Sequence, residues 1–266
     1  MERRAFVSAS LGVSALTLAD SIKGLGQTAS AAAEYYDLRR YQLRSGPGTK
    51  LTDAYFADAL IPALNRLGIG PVGAFSIYFG PETPAYYLLM PSPKLETLVT
   101  AELALAQDGQ FMKAGAAFWD APAGSPAFTG IESSLLRAFS GHPKVTPPAA
   151  AATKEKRIYQ LRQYQSPTNG YHVRKVEMFH AGEFGIFEKA GAHAVFYADA
   201  LIGPRLPNLT YMLSFPDMAA LEASWEKFGA DPEWKKLSND AKYKFDPPTV
   251  SNITSLVLRP LGYSQI

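Results

Sequence analysis

Apolar and polar positions alternate from Tyr35 to Leu43, which predicts a strand with Tyr36 and Leu38 on one face and Arg39 and Tyr41 on the other. The period then lengthens. Leu51, Ala54, Tyr55, Leu60, Ile61, Leu64 and Leu67 recur near helical spacing, predicting a helix over Thr49 to Leu67 that Pro62 kinks and Gly68 ends. Val72 to Phe79 and Ala85 to Met90 are predicted strands of a hairpin turned by Gly80-Pro81-Glu82-Thr83-Pro84. Ser92-Pro93 opens a second helix, serine as cap and proline in the first turn, and a closing strand covers Ile131 to Phe139.

The same order is then written again. Tyr36-Asp37-Leu38-Arg39-Arg40-Tyr41-Gln42 returns 123 residues later as Tyr159-Gln160-Leu161-Arg162-Gln163-Tyr164-Gln165. That shift also carries Gly80 onto Gly203, Pro93-Lys94-Leu95 onto Pro216-Asp217-Met218, and Asp108-Gly109-Gln110-Phe111 onto Asp231-Pro232-Glu233-Trp234. Residues 157–165, 193–202, 208–215 and 250–259 are the strands of the second copy, with helices over 172–190 and 216–229. Pro143, Pro147, Pro148 and the run Ala149 to Ala152 mark 141–156 as a linker. The chain thus divides into halves at 34–140 and 157–266, each βαββαβ, the ferredoxin-like unit. A four-stranded sheet with helices on one face leaves the other face bare. Packing the two units sheet to sheet would bury both faces in an intramolecular α/β barrel.

The segment before Tyr35 has a different character. Arg3-Arg4-Ala5-Phe6-Val7 precedes an apolar stretch to about Ala19, short for a bilayer span, and small residues follow up to Ala33. The pattern resembles a bacterial twin-arginine export signal over residues 1–33, which predicts a periplasmic or secreted chain with no membrane span after signal removal. An ordinary secretory signal or a mitochondrial presequence is the alternative, and Glu2 and Asp20 count against the latter. Twenty-six Lys plus Arg against 24 Asp plus Glu give no sustained field, so no nucleic-acid partner is expected. The absence of cysteine removes disulfides, thiolate metal sites, iron–sulfur clusters and cysteine nucleophiles. No H-E-x-x-H, G-x-S-x-G, Walker or G-x-G-x-x-G context is present, which leaves zincins, serine hydrolases, P-loop enzymes and Rossmann dehydrogenases unsupported.

The Tyr-x-Leu-Arg-x-Tyr opening, Trp225-x-x-Phe228-x-x-Asp231-Pro232-Glu233-Trp234-Lys235 and the ending Leu258-Arg259-Pro260-Leu261-Gly262-Tyr263-Ser264 resemble the NIPSNAP family. The resemblance implies the dimeric α/β-barrel superfamily of ferredoxin-like folds, here as a tandem copy. It is strongest in the second half, because the first has Asp108-Gly109-Gln110-Phe111 where the motif has Asp-Pro-Glu-Trp. The family is associated with vesicle and mitochondrial biology, and no general catalytic mechanism comes with the name.

Asp231-Pro232-Glu233-Trp234 has a structural role as a helix start, with Asp as cap and Trp packed inward. Arg39, Tyr41, Arg162 and Tyr164 are the candidate ligand-binding residues. If the leucine face lies under the helices, both arginines point between the sheets, where they pair internally or grip a carboxylate or phosphate. His193, Tyr197 and Asp199 share a predicted strand and are weak catalytic candidates for proton transfer. His180, on a helical face with Val176, Phe184 and Phe187, is a satisfied core histidine or a haem ligand; no other cofactor or metal is predicted. His142 and His172 are expected to be solvated.

Three functions fit these features. One is a monomer or homodimer binding a small anionic or aromatic organic ligand between its halves. The second is an enzyme similar to the cofactor-free monooxygenases or haem-using members of the superfamily. The third is an interaction protein without a pocket.

Overall fold

The computed structural model describes residues 32–266, so the arginine pair and apolar stretch of the expected export signal lie outside the described residues. The strands are β1 (Tyr35–Gln42), β2 (Gly73–Phe79), β3 (Ala85–Ser92), β4 (Gly130–Ala138), β5 (Ile158–Gln165), β6 (His193–Ile202), β7 (Asn208–Phe215) and β8 (Asn252–Pro260). They close into one antiparallel barrel in the order β1-β3-β2-β8-β5-β7-β6-β4. Each half contributes four adjacent strands, and the halves meet edge to edge where β2 pairs β8 and β4 pairs β6. Both sheets of the expected sandwich are present, and their free edges are used up within the chain. At the β4–β6 seam the strands approach closely: a Cβ at Gly203 would come within 2.7 Å of the Ser134 hydroxyl, and φ there is +147°.

The first crossover is α1 (Pro47–Ala54), a π-helical turn (Tyr55–Leu60) and α2 (Ile61–Arg66). Proline predicted a kink, and the helix instead widens immediately before Ile61-Pro62, placing the ring in the first turn of α2. The second crossover of that half is broken into α3 (Leu95–Val99), α4 (Ala101–Leu105) and α5 (Gly109–Trp119). Ser92 is not the cap of α3. It ends β3, and its hydroxyl accepts from the Lys94 amide at 3.1 Å, closing the turn two residues before the helix. The 141–156 connection carries a short helix, α6 (Ala149–Thr153). In the second half α7 (Asn169–Met178), a π-helical turn (Phe179–Glu183) and α8 (Phe184–Lys189) form one crossover, and α9 (Met218–Ala230) with α10 (Pro232–Ser238) the other.

Three apolar layers result. Tyr36, Phe75, Leu136, Tyr159, Phe196 and Met212 pack inside the barrel, fully buried. Tyr41, Phe56 and Leu88 face the first helical layer, and Tyr164, Phe179 and Tyr211 the second. At about 25 cal/mol per Å² of apolar area removed from water, fully burying a side chain of the Phe75 or Phe179 type is worth about 1.5–3 kcal/mol. No described helix is long and apolar enough to cross a membrane.

Candidate functional site

Strand alternation is obeyed, with the face assignment reversed from expectation. Tyr36 and Tyr159 fill the barrel with Leu161, so Arg39, Tyr41, Arg162 and Tyr164 lie under the helices, two in each half. The reason is that both faces of these strands are covered, and an aromatic residue serves either. Arg39 meets carboxylates: its Nε donates to Asp37 Oδ2 at 2.8 Å, and its Nη1 bonds Glu102. Asp37 also accepts from the Ser133 hydroxyl at 2.6 Å. Burial pushes the Tyr41 hydroxyl up to about 12, with the Arg39 charge acting the other way.

In the second half the positions 123 residues on hold neutral groups. Gln160 replaces Asp37, donating to Ser255 Oγ at 3.0 Å, and Trp225 replaces Glu102, its indole N–H donating to Gln160 at 2.7 Å. The Arg162 guanidinium lies 4.3 Å from the Trp225 ring centroid and 5.2 Å from that of Tyr164, while its buried Nε has no hydrogen-bond partner. The charge in this layer is a buried Lys175–Glu183 pair; burial holds the Glu183 carboxyl above the ordinary range, against the pull of Lys175. The four expected ligand residues do not form one site.

Nor do His193, Tyr197 and Asp199. A β-bulge between Ala194 and Phe196 puts both Val195 and Phe196 inside the barrel, so His193 falls on the opposite face from Tyr197 and Asp199. His193 is exposed and donates to the Thr146 carbonyl at 3.0 Å. His180 is also exposed: Nδ1 donates to the Val176 carbonyl at 2.9 Å, and Nε2 accepts from the Gly141 amide at 3.3 Å. Its two nitrogens are therefore already engaged. The described residues contain no cluster of three or more His, Asp or Glu arranged for a metal. His142 is half-buried against Tyr197, and burial holds its pKa below the ordinary value. His172 turns inward to Asp199, Nε2 to Oδ1 2.8 Å. A sequence pattern could not find that pair, because the two residues are joined only by the crossover packing on β6.

A cleft of about 490 Å³ opens where the halves meet. Tyr78 of β2, Lys154 to Ile158, Asp217 to Ala219 and Arg259 to Gly262 line it. Arg259 is stacked on Tyr78, its guanidinium carbon 3.3 Å from the ring centroid. Arg157 is 5% exposed and donates to the Tyr159 hydroxyl at 2.6 Å and to the main-chain oxygens of Ala150, Glu155 and Ile266 at 2.9 to 3.1 Å. Lys154 donates to the Ser264 carbonyl at 2.6 Å, and Lys156 is exposed. Asp217 is occupied as the cap of α9, accepting from the Ala220 amide at 2.9 Å. Among the described residues Lys154, Lys156 and Arg259 make no ion pair with an Asp or Glu, whereas Arg157 has its donors taken by the Tyr159 hydroxyl and the main-chain oxygens. With Arg157 engaged, Lys154, Lys156 and Arg259 face two carboxylates, Glu155 and Asp217, so the cleft is positive.

Residues 159–265 match the NIPSNAP family model. No curated protein matches the chain. Among solved structures the chain is similar to a candidate monooxygenase of Fusobacterium nucleatum, at 7% identity and a TM-score of 0.55, over 87% of this chain and 94% of that one. A candidate monooxygenase of Lactobacillus acidophilus is similar at 7% identity and 0.53, over 86% and 94%. An uncharacterised NIPSNAP-like domain protein of Burkholderia xenovorans matches at 19% identity and 0.37, over 41% of this chain and 90% of that one. The fold is that of the dimeric α/β-barrel proteins.

The NIPSNAP match contains Asp217 and Arg259, while Tyr78, Lys154, Lys156 and Arg157 lie before it. The junction cleft is thus built partly by the NIPSNAP-matching segment and partly by the connection and the other half. Chemically it offers a planar cation, an ammonium and an aromatic platform, groups that can hold an anion.

Proposed function

We propose that this chain is an exported tandem NIPSNAP-like protein that binds a small anionic organic molecule, aromatic in part, in the cleft where its halves meet. One observation carries the reading: Lys154, Lys156 and Arg259 border about 490 Å³ with no Asp or Glu paired to any of them among the described residues. A cation with no counter-charge lowers its energy by taking an anion from solution, and the Arg259–Tyr78 stack orients the guanidinium edge for a carboxylate or phosphate. Met218 and Leu261 supply apolar wall for the rest of the ligand.

The tandem reading is supported by correspondences at the repeat interval. Glu82 and Arg205 both have φ near +60°, Gly68 and Gly191 both end a crossover with positive φ, and Asp108 and Asp231 both cap a helix. The export reading is supported by Arg3-Arg4 and the apolar stretch after it. Isothermal titration with aryl carboxylates and aryl phosphates tests the ligand class. Saturable binding at one site per chain is expected, weakened about tenfold, or about 1.4 kcal/mol, by Arg259→Gln and by Lys156→Gln. Equal weakening by Lys236→Gln, on the far exposed turn of α10, would reduce the effect to general surface charge and reject the site.

The enzyme reading draws support from the His172–Asp199 pair, which has the form of a histidine held by a carboxylate. Turnover of an organic substrate by the purified chain, lost in His172→Gln, would favour it over pure binding.

A further inference from the structure

A second cleft, of about 570 Å³, lies on the helical face of the second half. His172, Val173, Val176, His180 and Asp199 line it, with Tyr243. The other half supplies an internal control for what this place does. Cross-strand partners set the correspondence: Arg39 pairs with Ser133 and Arg162 with Ser255, so β4 and the residues after it match β8 and its continuation at an interval of 122. By that register Tyr263 corresponds to Gly141, and by the 123 interval Asp53 corresponds to Val176 and Phe56 to Phe179.

In the first half the chain fills this position itself. The Tyr263 ring packs edge-on against Phe56, 6.4 Å between centroids, and its hydroxyl donates to Asp53 Oδ1 at 2.8 Å. In the second half it does not. A Cβ at Gly141 would stand 2.7 Å from the Phe184 ring and 3.2 Å from His180, so those two side chains fill the space beside Gly141 and the cleft opens next to them. The carboxylate moves as well: Asp53 becomes Val176, and an acid appears instead at Asp199, where the first half has Ser76. His172 likewise stands at the position of Thr49, and His180 at that of Ala57. The fold is therefore satisfied by small neutral residues at all three positions, so it does not require the histidines and the acid.

Asp199 is set up to accept. Its Oδ1 holds His172 Nε2, the carboxylate is 38% exposed, and its Oδ2 has no partner among the described residues. Glu177 and Lys242 also line the cleft and are paired with each other, Nζ to Oε2 3.1 Å, which leaves Asp199 as the acceptor without a second partner. We propose that this cleft binds a hydroxyaromatic compound whose O–H donates to Asp199, with Val173, Val176 and Tyr243 against the ring. Its ligand is a neutral phenol, distinct from the anion of the junction cleft.

The probe is 4-nitrophenol, which titrates near neutrality and absorbs near 400 nm only as the phenolate. A carboxylate acceptor favours the protonated phenol, so binding lowers the 400 nm absorbance at neutral pH and raises the apparent pKa of the bound probe. The expected result is saturable loss of absorbance at one site per chain. Asp199→Asn and the cleft-filling Val176→Trp should each weaken it about tenfold or more. The melting temperature of each variant identifies any that does not fold. Arg259→Gln should leave it unchanged, so this site stands or falls independently of the junction cleft. A rise in absorbance would show a cation-dominated site and overturn the proposal. No saturable change, or binding indifferent to both Asp199→Asn and Val176→Trp, would overturn it as well.

Discussion

Lys175 and Glu183 are 6% and 2% exposed in their side chains, and the Lys175 ammonium lies 4.9 Å from the Phe179 ring centroid. Removing one partner leaves a buried charge with nothing to balance it, so Lys175→Met should cost about 3–5 kcal/mol. The other half shows how the site is built without charge, with Thr52 and Leu60 at the same positions. Lys175→Thr with Glu183→Leu should therefore recover most of that loss, a non-additivity that chemical denaturation of the two single variants and the double reads directly. His142 gives a pH signature of opposite origin. Burial lowers its folded pKa, helped by the nearby His193 charge, so above the unfolded value of 6.5 both states are neutral and the residue contributes nothing. As pH falls below 6.5 the unfolded chain takes up the proton first, and stability is lost progressively toward the lowered folded pKa. The melting temperature should fall between pH 7 and 5, and less steeply in His142→Gln.

At the scale of elements, the Asp231 carboxylate accepts from the amides of Glu233 and Trp234 at 2.7 and 3.1 Å, and Asp108 does the same for Gln110 and Phe111 at 2.9 and 3.0 Å. Asp231→Ala should cost about 1 kcal/mol, seen as a fall of about 2–4 °C in melting temperature. The Asp231 cap was legible in the sequence because a cap is local, the acid, the turn and the amides lying within four residues; Asp108 was read only as its counterpart in the repeat. The strands were legible for the same reason, each a short run bounded by glycine or proline. What alternation could not say was which face of β1 and β5 looks inward. Tyr36 and Tyr41 are equally apolar, and only the helices packed on the sheet distinguish their sides. The bulge at Val195 is a second case, since one extra residue reverses His193 against Asp199 without leaving a mark in composition. The junction cleft was out of reach because Tyr78, Lys156 and Arg259 meet only when the barrel closes, across 181 residues of chain from first to last.

At the scale of the molecule, closure depends on two seams, β2 with β8 and β4 with β6. In the repeat β2 corresponds to β6 and β4 to β8, so both seams join the same two kinds of edge. A half separated from its partner would expose one edge of each kind, with unpaired amides and carbonyls along β6 and β8, and would uncover Tyr159, Leu161, Phe196 and Met212. Burying that apolar face is what the second half does for the first. Residues 157–266 produced alone should therefore pair with a second copy, β6 of each on β8 of the other, rebuilding both seams by a two-fold axis. Light scattering on the eluting species should give the mass of a dimer at micromolar concentration. Placing a proline at Leu256, inside β8 and paired with Leu161, should abolish it by removing a ladder bond from the paired sheet. A stable, soluble monomer of 157–266 would mean that each half closes its own core, and the account of the barrel as one shared interior would fail.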